Sequence, residues 1–134
     1  MLGANEPKGL LGELVARGVR LATVSDGAGG LYASTESLSV HMPAFRIEEV
    51  DPTGAGDALC SGVIKALIDD GVSPGQLSTL EAERLTVLML RGQASGAACV
   101  TGVGATTAVT RSNVGSLIRE QAALLLESTT VEEA

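Results

Sequence analysis

Aromatic residues are nearly absent from this chain, which has one tyrosine, one phenylalanine and no tryptophan. Basic residues are also scarce, because 9 lysines and arginines stand against 16 aspartates and glutamates, giving a net charge of −7. A protein that binds nucleic acid normally presents a basic face and aromatic rings that stack on the bases. The composition therefore argues against a nucleic-acid partner.

Histidine and cysteine are equally rare. His41 is the only histidine, which excludes a zinc site built from several histidines. The two cysteines, Cys60 and Cys99, lie far apart and form neither a CxxC pair nor a disulfide framework. Such cysteine usage is typical of a reducing compartment, and we therefore expect a cytoplasmic protein.

The sequence also lacks a leader pattern and a long apolar run. Residues 1–10 contain no basic stretch followed by an apolar core. The uncharged segment 92–110 consists mainly of Gly, Ala, Ser and Thr, whereas a membrane span needs about 20 strongly apolar residues. We interpret this segment as closely packed interior backbone and expect no membrane partner.

The chain does have a hydrophobic fraction of 45% over 134 residues, which is enough for one domain with a core. Hydrophobic spacing predicts a helix around residues 10–15, strands over 21–25, 31–33, 38–42 and 46–50, and helices over 58–69, 80–98 and 114–127. Ser78 or Thr79 is expected to cap the helix over 80–98, and Asn113 the last helix. We expect the acidic tail to be frayed. This order predicts an α/β fold in which helices cover a sheet.

A glycine-rich turn, Gly54-Ala55-Gly56, stands between the last predicted strand and the helix over 58–69. Free backbone N–H groups and the helix dipole at such a turn suit a phosphate. An isolated Gly-x-Gly-Asp is more often a plain tight turn, in which Asp57 only stabilises the helix start. The standard nucleotide motifs do not decide the question, because the chain contains neither G-x-x-x-x-G-K nor G-x-G-x-x-G.

The longer string Asp51-Pro52-Thr53-Gly54-Ala55-Gly56-Asp57 resembles the D-[TP]-T-G-A-G-D signature of the ribokinase-like (PfkB) carbohydrate kinases. The segment 25–30 is similar to that family's T-x-G-x-x-G turn, with Ser25 in place of threonine, and the segment 97–105 to its A-x-x-V-T-x-x-G-A segment. The three motifs occur in the family's order, and the resemblance covers most of residues 8–127. It implies the C-terminal portion of a ribokinase-like three-layer α/β/α sandwich.

The resemblance also implies an activity, the transfer of a phosphoryl group from ATP to a hydroxyl of a sugar or nucleoside. Asp57 would be the general base that accepts the hydroxyl proton. The backbone amides of Gly54, Ala55 and Gly56 would form an anion hole for the transferring phosphate. The alternative role for Asp57 is N-terminal capping of the helix.

ATP-binding residues follow from the same resemblance. Ser25, Gly27 and Gly30 would contact ATP, although this segment could instead be an ordinary turn between strands. Gln93 occupies a position that borders the adenine site, and a surface glutamine on a helix is the alternative. Mg²⁺ would arrive with the nucleotide, because the chain lacks the N-x-x-E motif that the family links to magnesium.

Many relatives of this kind bind a monovalent cation beside the anion hole. By position, its ligands here would be the Asp51 side chain and the carbonyl groups of Thr53, Cys99, Gly102 and Gly104. Potassium suits such oxygen ligands. The alternative role for Asp51 is a turn-forming aspartate before proline.

The N-terminal half of the family, which holds the sugar and the lid over it, has no counterpart in this sequence. We therefore expect residues 1–134 to be the C-terminal, nucleotide-binding part of a kinase, inactive by itself. An uncovered apolar face would drive self-association or pairing with a missing N-terminal half. A non-catalytic nucleotide-binding remnant and an inactive truncated fragment are the alternatives.

Overall fold

The computed structural model describes residues 6–133, which form helices on both sides of one sheet. The helices are α1 (Glu6–Ala16), α2 (Ala55–Asp69), α3 (Ala82–Val100) and α4 (Arg111–Ser128). The strands are β1 (Ala22–Ser25), β2 (Leu31–Ser34), β3 (Leu38–Met42) and β4 (Thr130–Glu133), and short 3₁₀ turns span Gly27–Gly29 and Pro74–Thr79. None of these helices is long and apolar enough to cross a membrane.

The sheet is antiparallel with the order β1-β2-β3-β4. Leu31 pairs with Met42 and Ala33 with Val40, so these four side chains share one face of the sheet. They belong to a buried cluster with residues of α2, α3 and α4. Helix α1 contacts β1 and β2, and its buried Leu11 lies outside that cluster, so α1 covers the opposite face. The predicted three-layer arrangement is thus present.

Helices α2 and α3 pack closely because small residues face each other. A Cβ atom on Gly92 would lie 2.4 Å from Cγ2 of Val63, which leaves no room for any side chain there. The prediction of closely packed backbone is confirmed for residues 92–100, most of which are buried. It is wrong for the loop over 101–107, where most residues are exposed.

The strand predicted over 46–50 is wrong, because residues 43–50 form no strand. A side chain of α4 takes the place of a neighbouring strand: the Arg46 N–H donates to Oε1 of Gln121 at 2.7 Å. Nε2 of Gln121 donates to the Arg46 carbonyl at 2.7 Å. Further along, the Val50 N–H donates to the Val100 carbonyl at 2.7 Å. The segment is therefore held by residues of α3 and α4 and not by a neighbouring strand.

Both predicted helix caps are wrong. Ser78 and Thr79 lie in the 3₁₀ turn, and α3 begins after Glu81, which makes no side-chain capping bond. At α4 the cap is Thr110, whose hydroxyl oxygen accepts from the Asn113 N–H at 3.1 Å. Asn113 sits inside the first turn of α4, so its side chain donates back to the Ala108 carbonyl at 2.9 Å instead.

The predicted frayed tail is wrong as far as Glu133, and Ala134 lies outside the described residues. Strand β4 pairs with β3, placing Val131 opposite Val40. An ion pair of 3.2 Å between Lys8 and Glu132 links this strand to α1. Backbone pairing therefore orders an acidic segment whose composition alone favours fraying.

Candidate functional site

A cavity of about 440 Å³ lies where the β1–β2 turn, the start of α2 and the middle of α3 come together. Six of the predicted site residues line it: Ser25, Gly27, Gly30, Ala55, Gly56 and Gln93. Apolar side chains such as Phe45, Ile47 and Leu59 form much of the remaining wall. Segments that are distant in sequence are thus assembled around one space.

The β1–β2 turn is closed by its own backbone. The Asp26 N–H donates to the Gly30 carbonyl at 2.9 Å, and the Gly29 N–H donates to the Asp26 carbonyl at 2.7 Å. Gly30 has a φ of +92°, and a Cβ atom there would lie 2.1 Å from the Met42 carbonyl oxygen. Only glycine lets the turn lie against the end of β3 in this way.

The start of α2 presents small residues to open space. Gly54 is the N-cap with a φ of 81°, and a Cβ atom there would lie 2.7 Å from Cβ of Ala105. A Cβ atom on Gly56, by contrast, would meet nothing within 4 Å. The N-terminus of a 15-residue helix beside such a space suits an anion, since unpaired N–H groups and the helix dipole both favour negative charge. The residues present therefore fit a phosphate group.

Asp57 lies in the first turn of α2, next to the cavity-lining Gly56, and is exposed. Within residues 6–133 its side chain makes no hydrogen bond or ion pair, although its place in the first turn also suits the dipole of α2. Its position leaves the group available to a ligand at the mouth of the cavity.

Asp51 joins two loops. Its Oδ1 accepts from the Thr53 N–H and its Oδ2 from the Gly104 N–H, each at 3.0 Å. A hydrogen bond from the Thr53 side chain, followed by those from the Gly104 and Thr53 backbone, lowers the pKa of Asp51 below its usual value. The ionised carboxylate thus ties the segment 51–54 to the loop over 101–107.

Cys99 also connects the segment 51–54 to the loop over 101–107. Its Sγ lies 3.3 Å from the Thr53 carbonyl oxygen and 3.2 Å from the Ala105 carbonyl oxygen, and these two acceptors share the single thiol proton. Burial, with the charges of Asp51 and Asp57, raises the pKa of the Cys99 thiol. The thiol therefore stays protonated and acts as a donor.

The predicted cation ligands fall into one region, but the structure does not show them as an ion site. Direct contacts join Asp51, Thr53, Cys99 and Gly104, while Gly102 lies in the same loop against Ala108. Within the described part of the chain, no group of three or more His, Cys, Asp or Glu residues could hold a metal ion. A cation site made largely of backbone carbonyl groups does not require such a group of side chains.

Gln93 is buried, so its alternative as a surface residue is wrong. Its Nε2 donates to the carbonyls of Met42, at 3.2 Å, and Pro43, at 2.8 Å. The side chain thereby anchors α3 to the end of β3 and lines the cavity at the same time.

Sequence reasoning missed several cavity residues, chiefly Phe45, Ile47 and Glu49. Ile47 and Glu49 belong to the segment misassigned as a strand, Phe45 directly precedes it, and no motif marks any of the three. The scarcity of aromatic residues was an available signal, since Phe45 is one of only two aromatic side chains and is 7% exposed.

Comparison with known proteins agrees with this geometry. Residues 4–112 match the family model of the pfkB family carbohydrate kinases. This match extends over most of the sequence, and the chain belongs to that family.

Individual relatives are fructokinases. Fructokinase-2 of Zea mays is 32% identical over 107 residues, which are 79% of this chain and 30% of that protein. The chain therefore spans less than a third of the length of this relative.

Solved structures confirm the predicted ribokinase-like fold. The crystal structure of a fructokinase from Xylella fastidiosa with bound ATP is 28% identical, with a TM-score of 0.71 over 89% of this chain and 41% of that chain. A fructokinase double mutant from Vibrio cholerae, with fructose, ADP and potassium bound, has a TM-score of 0.67 at 22% identity over 82% of this chain and 34% of that chain. At that lower identity the second likeness concerns the fold alone.

Proposed function

We propose that this chain forms the nucleotide-binding part of an ATP-dependent kinase that phosphorylates a hydroxyl group of a sugar or nucleoside. The observation that carries the proposal is the meeting of two predicted glycine-rich segments around one cavity, beside the unbonded carboxylate of Asp57. Family membership and the fructokinase relatives support the same class of activity.

ATP would occupy the 440 Å³ cavity and supply the phosphoryl group, together with its Mg²⁺. The volume lies within the range of about 300–1,000 Å³ typical of small-molecule sites. Ser25, Gly27 and Gly30 would hold the nucleotide from one side, and Gln93 would border the base. The amides of Gly54–Gly56 would stabilise negative charge at the phosphate end.

Asp57 would accept the proton of the attacking hydroxyl. Phosphoryl transfer depends mostly on positioning and charge stabilisation, so a carboxylate that orients the hydroxyl is sufficient. The capping alternative rests on the position of Asp57 in the first turn of α2, because its side chain makes no hydrogen bond within residues 6–133. Its exposure leaves it free to meet a substrate brought from outside this chain.

A potassium ion beside the anion hole is part of the same proposal. Asp51 ties the segment 51–54 to the loop over 101–107, and the carbonyl groups of Thr53 and Ala105 both contact the Cys99 thiol. The Thr53 carbonyl already accepts from the Cys99 thiol, so an ion would compete with that weak hydrogen bond. The ion would also neutralise charge near the phosphate end.

The groups that hold the sugar would come from another polypeptide segment. Helix α2 presents an exposed stripe that runs from Asp57 through Cys60 and Ile64 to Ile68, with the last two 57% and 71% exposed. An apolar stripe that leads directly to the proposed base suits the packing of a substrate-binding portion. Since the chain spans 30% of the maize relative, pairing with the remaining part of such a kinase is the arrangement we propose.

Because this stripe is exposed, it also favours a second candidate function for residues 1–134 alone, which is nucleotide binding without catalysis. A base can act only on a hydroxyl held within about 3 Å and in line with the phosphate. The described residues provide a space for the nucleotide but leave the base facing solvent.

The experiment compares the purified chain alone and mixed with the N-terminal portion of a relative such as the maize fructokinase. Alone, we expect ATP binding with a Kd near 1 mM and no phosphorylation across a panel of sugars and nucleosides. The mixture should gain kinase activity, and Ile68→Asp should prevent the gain, whereas Leu124→Asp on the exposed face of α4 should not. Absence of ATP binding would contradict the proposal, and robust activity of the chain alone would show that the substrate site lies elsewhere.

A further inference from the structure

His41 lies on β3, directly opposite Tyr32 of β2. The two rings are stacked, with centroids 4.2 Å apart and an angle of 24° between their planes. Both residues are half-buried. The stack holds the plane of the imidazole nearly parallel to the phenol ring, since rotation out of that plane would lose the contact.

In that orientation Nε2 of His41 lies 2.7 Å from the Gly29 carbonyl oxygen. A carbonyl oxygen only accepts hydrogen bonds, so Nε2 must carry the proton and donate. Gly29 belongs to the β1–β2 turn, of which Gly27, Ala28 and Gly30 line the cavity. The sole histidine of the chain is therefore bonded to the back of the proposed nucleotide-binding turn.

A second contact holds the same turn from the next residues of β3. Gly30 lies against the Met42 carbonyl so closely that no side chain fits between them. That carbonyl also accepts a hydrogen bond from Gln93 of α3. The end of β3 thus connects the turn to the opposite wall of the cavity, and His41 adds a side-chain bond from β3 to the turn.

We propose that His41 is a positioning residue, which fixes the Gly27–Gly30 turn in the orientation that receives the nucleotide. The inference rests on the proposed function, because the turn is assigned to ATP there. If His41 did no more than stabilise the hairpin, its loss would lower the melting temperature without a specific loss of nucleotide affinity.

The test measures MgATP binding to the chain by titration calorimetry and the backbone amides of the turn by NMR. His41→Leu removes the donor and should weaken MgATP binding about tenfold, while shifting and broadening the Gly29 and Gly30 amide signals. His41→Gln keeps a donor near the position of Nε2 and should restore binding to within about threefold. Ser39→Ala, on the same face of β3 but away from the turn, is the matched control.

The outcomes separate this inference from the proposed function. Equal MgATP affinity in the wild-type chain and His41→Leu would overturn the positioning role, as would a loss that His41→Gln does not rescue. If the wild-type chain bound no MgATP, the proposed function would fail, and the amide signals of the nucleotide-free chain would decide the inference. Turn amides unchanged by His41→Leu would then overturn it, and changes rescued by His41→Gln would support it.

Discussion

The two glycine-rich turns line the same cavity, yet different parts of the chain hold them. The turn after β1 is fixed by its neighbour in the sheet, through a contact between Gly29 and His41, only 12 residues apart. The turn before α2 is fixed by the loop after α3, through contacts of Thr53 with Cys99 and of Asp51 with Gly104, which are 46 and 53 residues apart.

The first turn therefore depends on contacts between residues close in the sequence, whereas the second depends on contacts between distant residues. The first turn requires only a three-stranded hairpin array, whereas the second requires that α2 and α3 have already packed together. We infer that the turn after β1 and the turn before α2 are affected by different mutations. Substitutions in each turn test this inference, and Asp57→Asn should have the largest effect.

Asp57→Asn should reduce kcat of the assembled kinase by at least about a hundredfold, because the variant cannot accept the hydroxyl proton. ATP affinity should change little, since the cavity walls are intact. Ser25→Ala on the other turn should show the opposite pattern, with weaker ATP binding and a nearly unchanged kcat. Steady-state kinetics with varied ATP measure both quantities.

The matched control for this prediction is Asp69→Asn, which changes an acidic residue that is exposed on the same helix and forms an ion pair with Lys65. It should leave kcat unchanged. Near-normal turnover by Asp57→Asn would remove Asp57 from the role of base and would return it to the role of a helix-start carboxylate.

The sequence predicts the features that depend on local contacts better than those that depend on distant contacts. Strands β1 to β3 and the C-terminal ends of α1 and α2 were predicted within a few residues, because hydrophobic spacing acts locally. The strand over 46–50 was wrong because Gln121, distant in sequence, pairs with its backbone. β4 was missed because its pairing with β3 overrides a composition that favours disorder.

The candidate site was predictable to the extent that motifs mark it. The motif residues are adjacent in the structure as expected, including Gln93 at the cavity wall. Two contacts were not predictable: the bond from the Gly104 N–H to Asp51 and the bond from His41 to the Gly29 carbonyl. Both depend on distances between side chains and backbone groups, which no spacing rule provides.

Gly54→Ala should destabilise the chain by about 2 kcal/mol, because an L-residue at positive φ is strained and its Cβ would strike Ala105. Gly56→Ala is the matched variant. It lies in the helix with open space around it, so stability should hold or rise slightly, while ATP binding weakens because the methyl group occupies the space proposed for phosphate. Calorimetric unfolding and ATP titration distinguish the two, and equal destabilisation by both would contradict the argument.

Replacement of sodium by potassium should increase the activity of the assembled kinase severalfold, if the carbonyl groups near Asp51 hold the ion. Asp51→Ala should abolish this response, because it removes both the proposed charged ligand and the tie to Gly104. Ser25→Ala, on the turn that the sheet holds, should retain the response. An activity indifferent to the exchange of cations in the wild-type enzyme would remove the potassium site from the proposal.

The smallest expected effect concerns the pH dependence of stability, and it tests the tie between the second turn and its distant loop. Folding lowers the pKa of Asp51, so its ionised form contributes stability above the unfolded-state pKa of about 4 and loses that contribution as pH falls through the folded value. The melting temperature of wild type should therefore exceed that of Asp51→Asn at pH 7, and the difference should narrow below about pH 4. Thr53→Val retains both backbone donors but removes the hydroxyl that contributes most to the lowered pKa, so in that background the difference should be smaller at pH 7. A difference that stays constant from pH 7 to pH 2 would mean that Asp51 holds the loop as a neutral group, and the charge of its carboxylate would then have no part in the bond to Gly104.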